Sequence, residues 1–332
     1  MTQRQARDPG PFVGGYSIGL VTPTPQLADG VRSLVEAATS ADGVAPLSED
    51  ALLHVRPVSK EEMLKDAARP DDGARPQQFV LSSGDGAMVG YAHLDAPDER
   101  APESDLSGEF VIHPDHRRQG YGSILLAHLI SRAGERGLRV WAHGDLPAAA
   151  ALARSAGMPR VRALWQMRRP MSGMPEDAPA LPPGVTLRAF RPGSDEAAWL
   201  AVNRRAFAHH PEQGRWTMDD LLLREAEPWF DPDGFFLAER EGKLVGFHWT
   251  KVHPDGGTGG GPIGEVYVVG VDPGQQGGGL GRALTLAGLA HLRHRGLADV
   301  LLYVDEDNTA AVRMYTALGF TRWSTDAMYL HS

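Results

Sequence analysis

EVYVVGVDPGQQGGGLGRALTLAGLAHLRHRGLADVLLYVDEDNTAAVRMYTALGF, residues Glu265 to Phe320, reads as strand, glycine loop, helix, strand, helix. Val266, Val268, Val269 and Val271 form a β-branched run suited to a strand, and the turn chemistry of Asp272-Pro273 ends it. Gln276-Gly277-Gly278-Gly279-Leu280-Gly281 then opens a helix expected over Arg282–His294, where Leu280, Ala283, Leu284, Ala287 and Ala290 keep the spacing of one face. The first-turn amides of such a helix have no acceptor within it, and its dipole adds positive potential there. The loop is therefore an anion site that suits a pyrophosphate.

Glycines alone leave the ligand open. A Walker A loop requires Lys-Ser or Lys-Thr after its last glycine, where Arg282-Ala283 stand. A dinucleotide loop expects an acidic residue about 20 residues further on, a role Asp305 fills slightly late. The whole ordered set is more specific. Gln276-x-x-Gly279-x-Gly281, then a strand, Asn308, Ala311, and Tyr315 four residues before Gly319-Phe320 resembles the signature of the GNAT acyltransferases. The resemblance implies an α/β fold whose central sheet is mixed and mostly antiparallel, flanked by helices, with acetyl-CoA held by this loop.

The chain has 332 residues, enough for two domains with cores of their own. A net charge of −9 argues against a nucleic-acid partner, whose backbone needs a clustered cationic face. The basic pairs are Arg117-Arg118, placed where a phosphate loop would lie, and Arg168-Arg169, expected at a solvated strand end. With no cysteine, disulfides, thiolate metal sites and cysteine nucleophiles are excluded. The 13 histidines include no HExxH or similar spacing, so no metal is expected, and His209-His210 reads as loop polarity or a substrate contact. No signal-peptide h-region or membrane-span-length apolar run occurs, so a cytoplasmic protein with no membrane or protein partner is expected.

Residues 1–15 read as a disordered tail, and Gln26–Thr39 as an amphipathic helix. Ser48 is placed to cap a further helix, with Glu49 in its first turn. Phe79–Leu81 and Met88–Leu94 form a hairpin. EFVIHPDHRRQGYGSILLAHLISRAGERGLRVWAHG, from Glu109, then aligns with the Glu265 stretch strand for strand and glycine for glycine, Arg117-x-x-Gly120-x-Gly122 opposite Gln276-x-x-Gly279-x-Gly281. The chain is an internal duplication. Its expected division is a first GNAT-like domain over 16–169, a proline-dense linker over 170–184, and a second, catalytic domain over 185–332. In the second copy Val185–Phe190 is a strand, Asp195–Ala208 a helix, Phe235–Glu239 with Lys243–Val252 a hairpin, and Pro254–Gly264 a flexible loop.

The copies differ where chemistry is expected. Ala153 stands at the position of Tyr315, and Leu146-Pro147 near that of Asn308, while the acid at the strand start is kept as Glu109 and Glu265. Acyl transfer needs a base for the amine and an acid for the leaving thiolate, roles that suit Glu265 and Tyr315; amides near Val269 and Val271 would polarise the carbonyl. The resemblance implies CoA contacts at Phe110, Val111, Ile112, Arg118, Gln119, Gly120, Tyr121, Gly122 and Ser123 in the first copy. In the second it implies Val269, Gly270, Val271, Gln276, Gly277, Gly278, Gly279, Leu280, Gly281 and Arg282, then Asn308, Thr309, Ala310, Ala311, Val312 and Arg313. Gly277-Gly278-Gly279 replaces the basic residues common in such loops, which leaves phosphate binding to backbone amides.

DGVAPLSE, WAHGDLPAA, QMRRP, AFAHHPEQGRW and GFHWTKVHPD narrow the resemblance to tandem GNAT enzymes that acetylate the cysteinyl amine of cysteinyl-glucosaminyl-inositol. It implies substrate contacts at Glu49, Glu212, Lys251, Glu265 and Tyr303, with Glu212 and Lys251 expected in loops. It also implies one catalytic acetyl-CoA in the second half and a second, structural one in the first. The rival readings are acetylation of another small amine or of a protein N-terminus, and a non-catalytic acyl-CoA sensor.

Overall fold

A computed structural model describes residues 15–56, 76–97, 104–173, 180–210, 213–254, 256 and 260–332. Apart from Gly15, the expected N-terminal tail lies outside them. The chain forms two compact units: Met1–Ala163 with Thr325–Ser332, and Leu164–Ser324.

The first unit contains β1 (Ser17–Val21), α1 (Pro25–Asp42), α2 (Glu49–Val55), β2 (Gln77–Ser82), β3 (Met88–Leu94), β4 (Leu106–Ile112), α3 (Tyr121–Ala133), β5 (Leu138–Ala142) and α4 (Pro147–Ser155). Local signals set these limits. Thr24 caps α1 by accepting from the Leu27 amide at 3.1 Å, Pro25 follows where its missing N–H costs nothing, and Gly43 ends the helix at φ 73°. Ser48 caps α2 as expected, accepting from the Ala51 amide at 3.2 Å. Strands β1 to β4 pair antiparallel in sequence order, and β4 pairs parallel with β5.

The second unit repeats the plan with β7 (Val185–Ala189), α5 (Glu196–Ala206), α6 (Met218–Glu225), β8 (Phe235–Arg240), β9 (Lys243–His253), β10 (Ile263–Val271), α7 (Leu280–His294), β11 (Asp299–Asp305) and α8 (Thr309–Ala317). Strands β7 to β10 are antiparallel, and β10 pairs parallel with β11. Glu241 and Gly242, both at positive φ, make the tight turn between β8 and β9. Strand β10 begins at Ile263, so two residues expected in the preceding loop belong to the sheet.

Two further strands, β6 (Arg160–Pro170) and β12 (Thr321–His331), are used crosswise. Leu164–Pro170 of β6, which follows the first copy in sequence, pairs with Asp305–Asp299 of β11 in the second unit. Ala327–His331 of β12 pairs with Ala142–Leu138 of β5 in the first unit. Each copy's closing strand therefore lies in the other copy's sheet, a different division of the chain from a cut at residues 170–184. Arg168-Arg169 lies at the C-terminal end of β6, as expected, but half-buried rather than fully solvated. Arg168 lies 4.5 Å over the Trp323 ring and bonds Gln166 at 2.9 Å, while Arg169 donates to the Leu318 carbonyl.

Apolar residues fill the two faces of each sheet. In the second unit one cluster joins Val266, Leu289, Leu292, Val300, Leu302, Tyr315 and Phe320, and the other is aromatic, built on Trp199, Phe235, Phe247 and Trp249. Among the described residues, no helix is long and apolar enough to cross a membrane.

Candidate active site

Strands β10 and β11 run side by side only from Gly264 opposite Val300 to Val266 opposite Leu302. Their pairing stops there, although β10 continues to Val271 and β11 to Asp305. The direction of the freed groups follows from strand alternation. The Asp272 amide donates to Val245 of β9 at 2.9 Å, so residues 268 and 270 also turn toward β9 and residues 269 and 271 turn the other way. The amides of Val269 and Val271 thus face the side where the sheet has opened. The same count places Phe110 and Ile112 on the open side of β4, whose pairing with β5 ends at Gly108 opposite Val140.

At the end of each opened strand stands the glycine loop. Gly277 and Gly279 take φ of 85° and 80°, and Gly279 is the N-cap of α7 with no side chain capping it. Space around Gly277, Gly278 and Gly279 is open where side chains would project, leaving the amides approachable. The first loop repeats this backbone, with Arg118 at φ 62° opposite Gly277 and Gly120 at 89° opposite Gly279. The first residue of each loop reaches back to the strand end: Arg117 Nε donates to the Ile112 carbonyl at 3.1 Å, and Gln276 Nε2 to the Val271 carbonyl at 3.3 Å. Arg117 is also paired bidentately with Asp42 at 2.6 and 2.8 Å, so that cation is held by the end of α1.

The units diverge at the centre of the strand. Strand β4 pairs with β3 without interruption, whereas β10 carries a bulge, with Val266 opposite Thr250, Val268 opposite Trp249, and Tyr267 extra between them. Tyr267 is fixed by Arg224 of α6, whose Nε donates to its hydroxyl at 2.9 Å and whose guanidinium lies 4.0 Å over the Trp216 ring. Neither residue stands out in the sequence, because an extra residue leaves no mark in a continuous apolar run.

Glu265 is buried and sits opposite Lys251 in the ladder, with a carboxylate oxygen 2.6 Å from His253 Nε2. Lys251 is not in a loop. It is a buried residue of β9, because its ammonium is received by ring faces, 4.4 Å over Trp229 and 5.2 Å over Tyr267. Tyr315 projects from α8 into the core beside Phe320, and burial pushes its phenol up to about 12. Its hydroxyl bonds none of the described residues. Asn308 is the N-cap of α8 and accepts from the Ala311 amide at 3.1 Å; Thr309, Ala310 and Arg313 are exposed along the same helix. Tyr303 is 43% exposed on β11, its hydroxyl accepting from Gln166 Nε2 at 2.7 Å. Glu49 begins α2 in the first unit, and Glu212 lies outside the described residues. His210 of the His-His pair faces Asp305 at 3.5 Å.

The first unit's acid has other work. The Ser48 amide donates to Glu109 at 2.6 Å, the Ser48 hydroxyl bonds the same carboxylate, and His143 Nε2 lies 3.0 Å from it. His143 Nδ1 lies 3.1 Å from Asp326, which also accepts from the Gly144 amide at 2.9 Å. Burial disfavours the charge on His143, but its bonds to the two carboxylates outweigh that and raise it to about 10, so the imidazole is cationic at neutral pH. Burial raises Glu109, and His143 with Ser48 more than reverses it, holding the carboxyl below its usual range. On α4, Ala153 and the cap Leu146 occupy the places that Tyr315 and Asn308 hold on α8.

The model of the acetyltransferase (GNAT) family matches residues 46–158 and again 199–320. The mycothiol acetyltransferase of Thermobispora bispora is 56% identical over 306 residues, covering 92% of this chain and 96% of that one. That of Thermomonospora curvata is 57% identical over 316 residues, covering 95% and 96%. Among solved structures, a tandem GNAT protein from the clavulanic acid biosynthesis pathway superposes with a TM-score of 0.65 at 20% identity, covering 95% of this chain and 98% of that one. A GCN5-related N-acetyltransferase from Sphaerobacter thermophilus gives 0.62 at 24%, covering 95% of each. Both solved structures share the fold.

Proposed function

The chain belongs to the GNAT acetyltransferase family and, within it, to the mycothiol acetyltransferases, and we propose that it forms mycothiol by acetylating the cysteinyl amine of cysteinyl-glucosaminyl-inositol. The observation that carries the reading is that, among the described residues, only the second copy combines the opened strand pair and glycine loop with a bulged strand, an acid whose histidine partner holds no second carboxylate, and a buried phenol.

Acetyl-CoA supplies the activated acyl group as a thioester. The cradle fits its pyrophosphate: consecutive glycines with open space above them expose the first amides of α7. The Val269 and Val271 amides are positioned to bind the pantetheine arm and to hold the acyl oxygen as negative charge develops on it. Glu265 takes the proton of the acceptor ammonium, the freed amine forms the C–N bond, and the C–S bond breaks. Tyr315 gives its proton to the departing thiolate, the acylated nitrogen sheds its second proton to solvent, and the phenolate takes one back from solvent. A phenol raised to about 12 is fully protonated at neutral pH, as an acid must be. Glu212, Lys251 and Tyr303 are assigned to acceptor recognition, for which a carboxylate, an ammonium and a hydroxyl suit a polyhydroxylated amine. The first unit, its acid bonded to Ser48 and His143, is assigned a structural acetyl-CoA and no turnover.

Incubation with acetyl-CoA and a panel of amines tests this, read as thiol release and as product mass. Acetylation of cysteinyl-glucosaminyl-inositol well above aminoglycosides and peptide N-termini is expected. Preference for another amine, or CoA binding with no acceptor-dependent thiol release, would overturn it.

A further inference from the structure

Each turnover leaves a proton on Glu265, whose side chain is only 7% accessible, so the base must be recharged through something. We propose that His253 is the residue through which Glu265 exchanges its proton with solvent, an inference that rests on Glu265 being the base. The ladder between β9 and β10 sets Lys251 opposite Glu265 and His253 opposite Ile263, which places Lys251, His253 and Glu265 on one face of the sheet. Across that face, His253 Nε2 lies 2.6 Å from a carboxylate oxygen of Glu265. The imidazole is 34% accessible, and among the described residues its Nδ1 makes no hydrogen bond. The ring therefore bridges a buried carboxylate and water. A proton on the Glu265 carboxyl passes to Nε2, the imidazolium releases its Nδ1 proton to solvent, and the ring returns to its starting tautomer by exchange with water. Nothing is consumed but the proton the ammonium gave up.

The first unit supplies the contrast. There Glu109 also meets a histidine nitrogen, but the other nitrogen of His143 is closed off by Asp326 and the ring is only 14% accessible. A histidine bonded at both ends holds a charge in place, whereas one bonded at a single end can pass it on. On the face that carries Glu265, the flanking strands bring Lys251 and His253 from β9 and Asp299 and Tyr303 from β11, on either side of Leu301, which stands opposite Glu265.

His253→Gln keeps an amide able to bond Glu265 but cannot shuttle a proton, and His253→Ala leaves room for a small carrier. In dilute buffer both variants are expected to lose kcat by about 10²-fold, the lower end of a proton-transfer contribution. KM for acetyl-CoA should not change, and added imidazole should restore His253→Ala. Unchanged kcat in dilute buffer overturns the proposal, and so does a loss that no carrier rescues, since a merely structural histidine would behave that way. Glu265→Gln is the separate arm. If it keeps wild-type kcat, Glu265 is not the base; if it is inactive and indifferent to imidazole while the His253 variants are unaffected, only the relay falls.

Discussion

Tyr315 and Glu109 show how burial acts on single groups. The Tyr315 phenol is raised to about 12 by its apolar surroundings, which keeps it an acid and makes its proton transfer depend on a thiolate arriving beside it. Tyr315→Phe is expected to lower kcat by roughly 10²-fold, a typical general-acid contribution, with acetyl-CoA affinity unchanged in a binding titration. The His143 cation contributes to stability instead. Its value in the folded protein, about 10, exceeds the ordinary one near 6.5, so its contribution is complete below about 6.5 and is lost as pH rises through about 10. Asp326→Asn removes one of its two carboxylates and should cost on the order of 3 kcal/mol, the scale for breaking a buried pair. Denaturant titrations should show wild-type stability falling more steeply than that of the variant between neutral pH and pH near 10. Parallel curves would mean that His143 is not held charged.

Helix α7 carries the phosphate-binding amides, so its seating on the sheet decides where they point. Gly288 lets it approach β9 closely, since a Cβ there would collide with the imidazole of His248, whose Nδ1 donates to the Leu284 carbonyl at 2.7 Å. Burial pushes His248 down to about 4, so it is neutral and its contribution is lost as pH falls from about 6.5 through 4. Gly288→Ala should destabilise by about 1–3 kcal/mol through overpacking, and adding His248→Ala should relieve part of it, as a double-mutant cycle in denaturant would measure. Such loop-to-helix elements were legible because their signals are local: a β-branched run, positive-φ glycines, and a helical apolar stripe. The duplication was legible because those signals recur in order. Lys251 falls within the Lys243–Val252 strand that the sequence marks, but its burial is not legible there, because it depends on the rings of Trp229 and Tyr267 being brought over it. The Tyr267 bulge and the Glu109–His143–Asp326 chain depend on register and on partners far apart in sequence, which no local pattern encodes.

At the scale of the whole molecule, a repeated fold need not mean a repeated function. The exchange of β6 and β12 leaves the first unit dependent on the last residues of the chain, which give β5 its neighbour and His143 its second carboxylate. Both units keep the loop backbone that exposes helix N-terminal amides, but among the described residues only one has the bulge, an acid whose histidine holds no second carboxylate, and the phenol. The division of labour therefore makes a prediction about stoichiometry. Wild-type protein should bind two acetyl-CoA molecules by calorimetry, the first unit's as a ligand that stabilises by mass action. Replacing Gly120 and Gly122 by bulky residues should reduce this to one and lower the CoA-dependent gain in Tm, with kcat largely kept. Gly120 stands at φ 89°, so a side chain there is strained as well as obstructive. The same change at Gly279 and Gly281 should also leave one site but abolish acetylation. A single site in the wild type, or equal loss of activity in both loop variants, would mean that the copies do not divide binding and chemistry in this way.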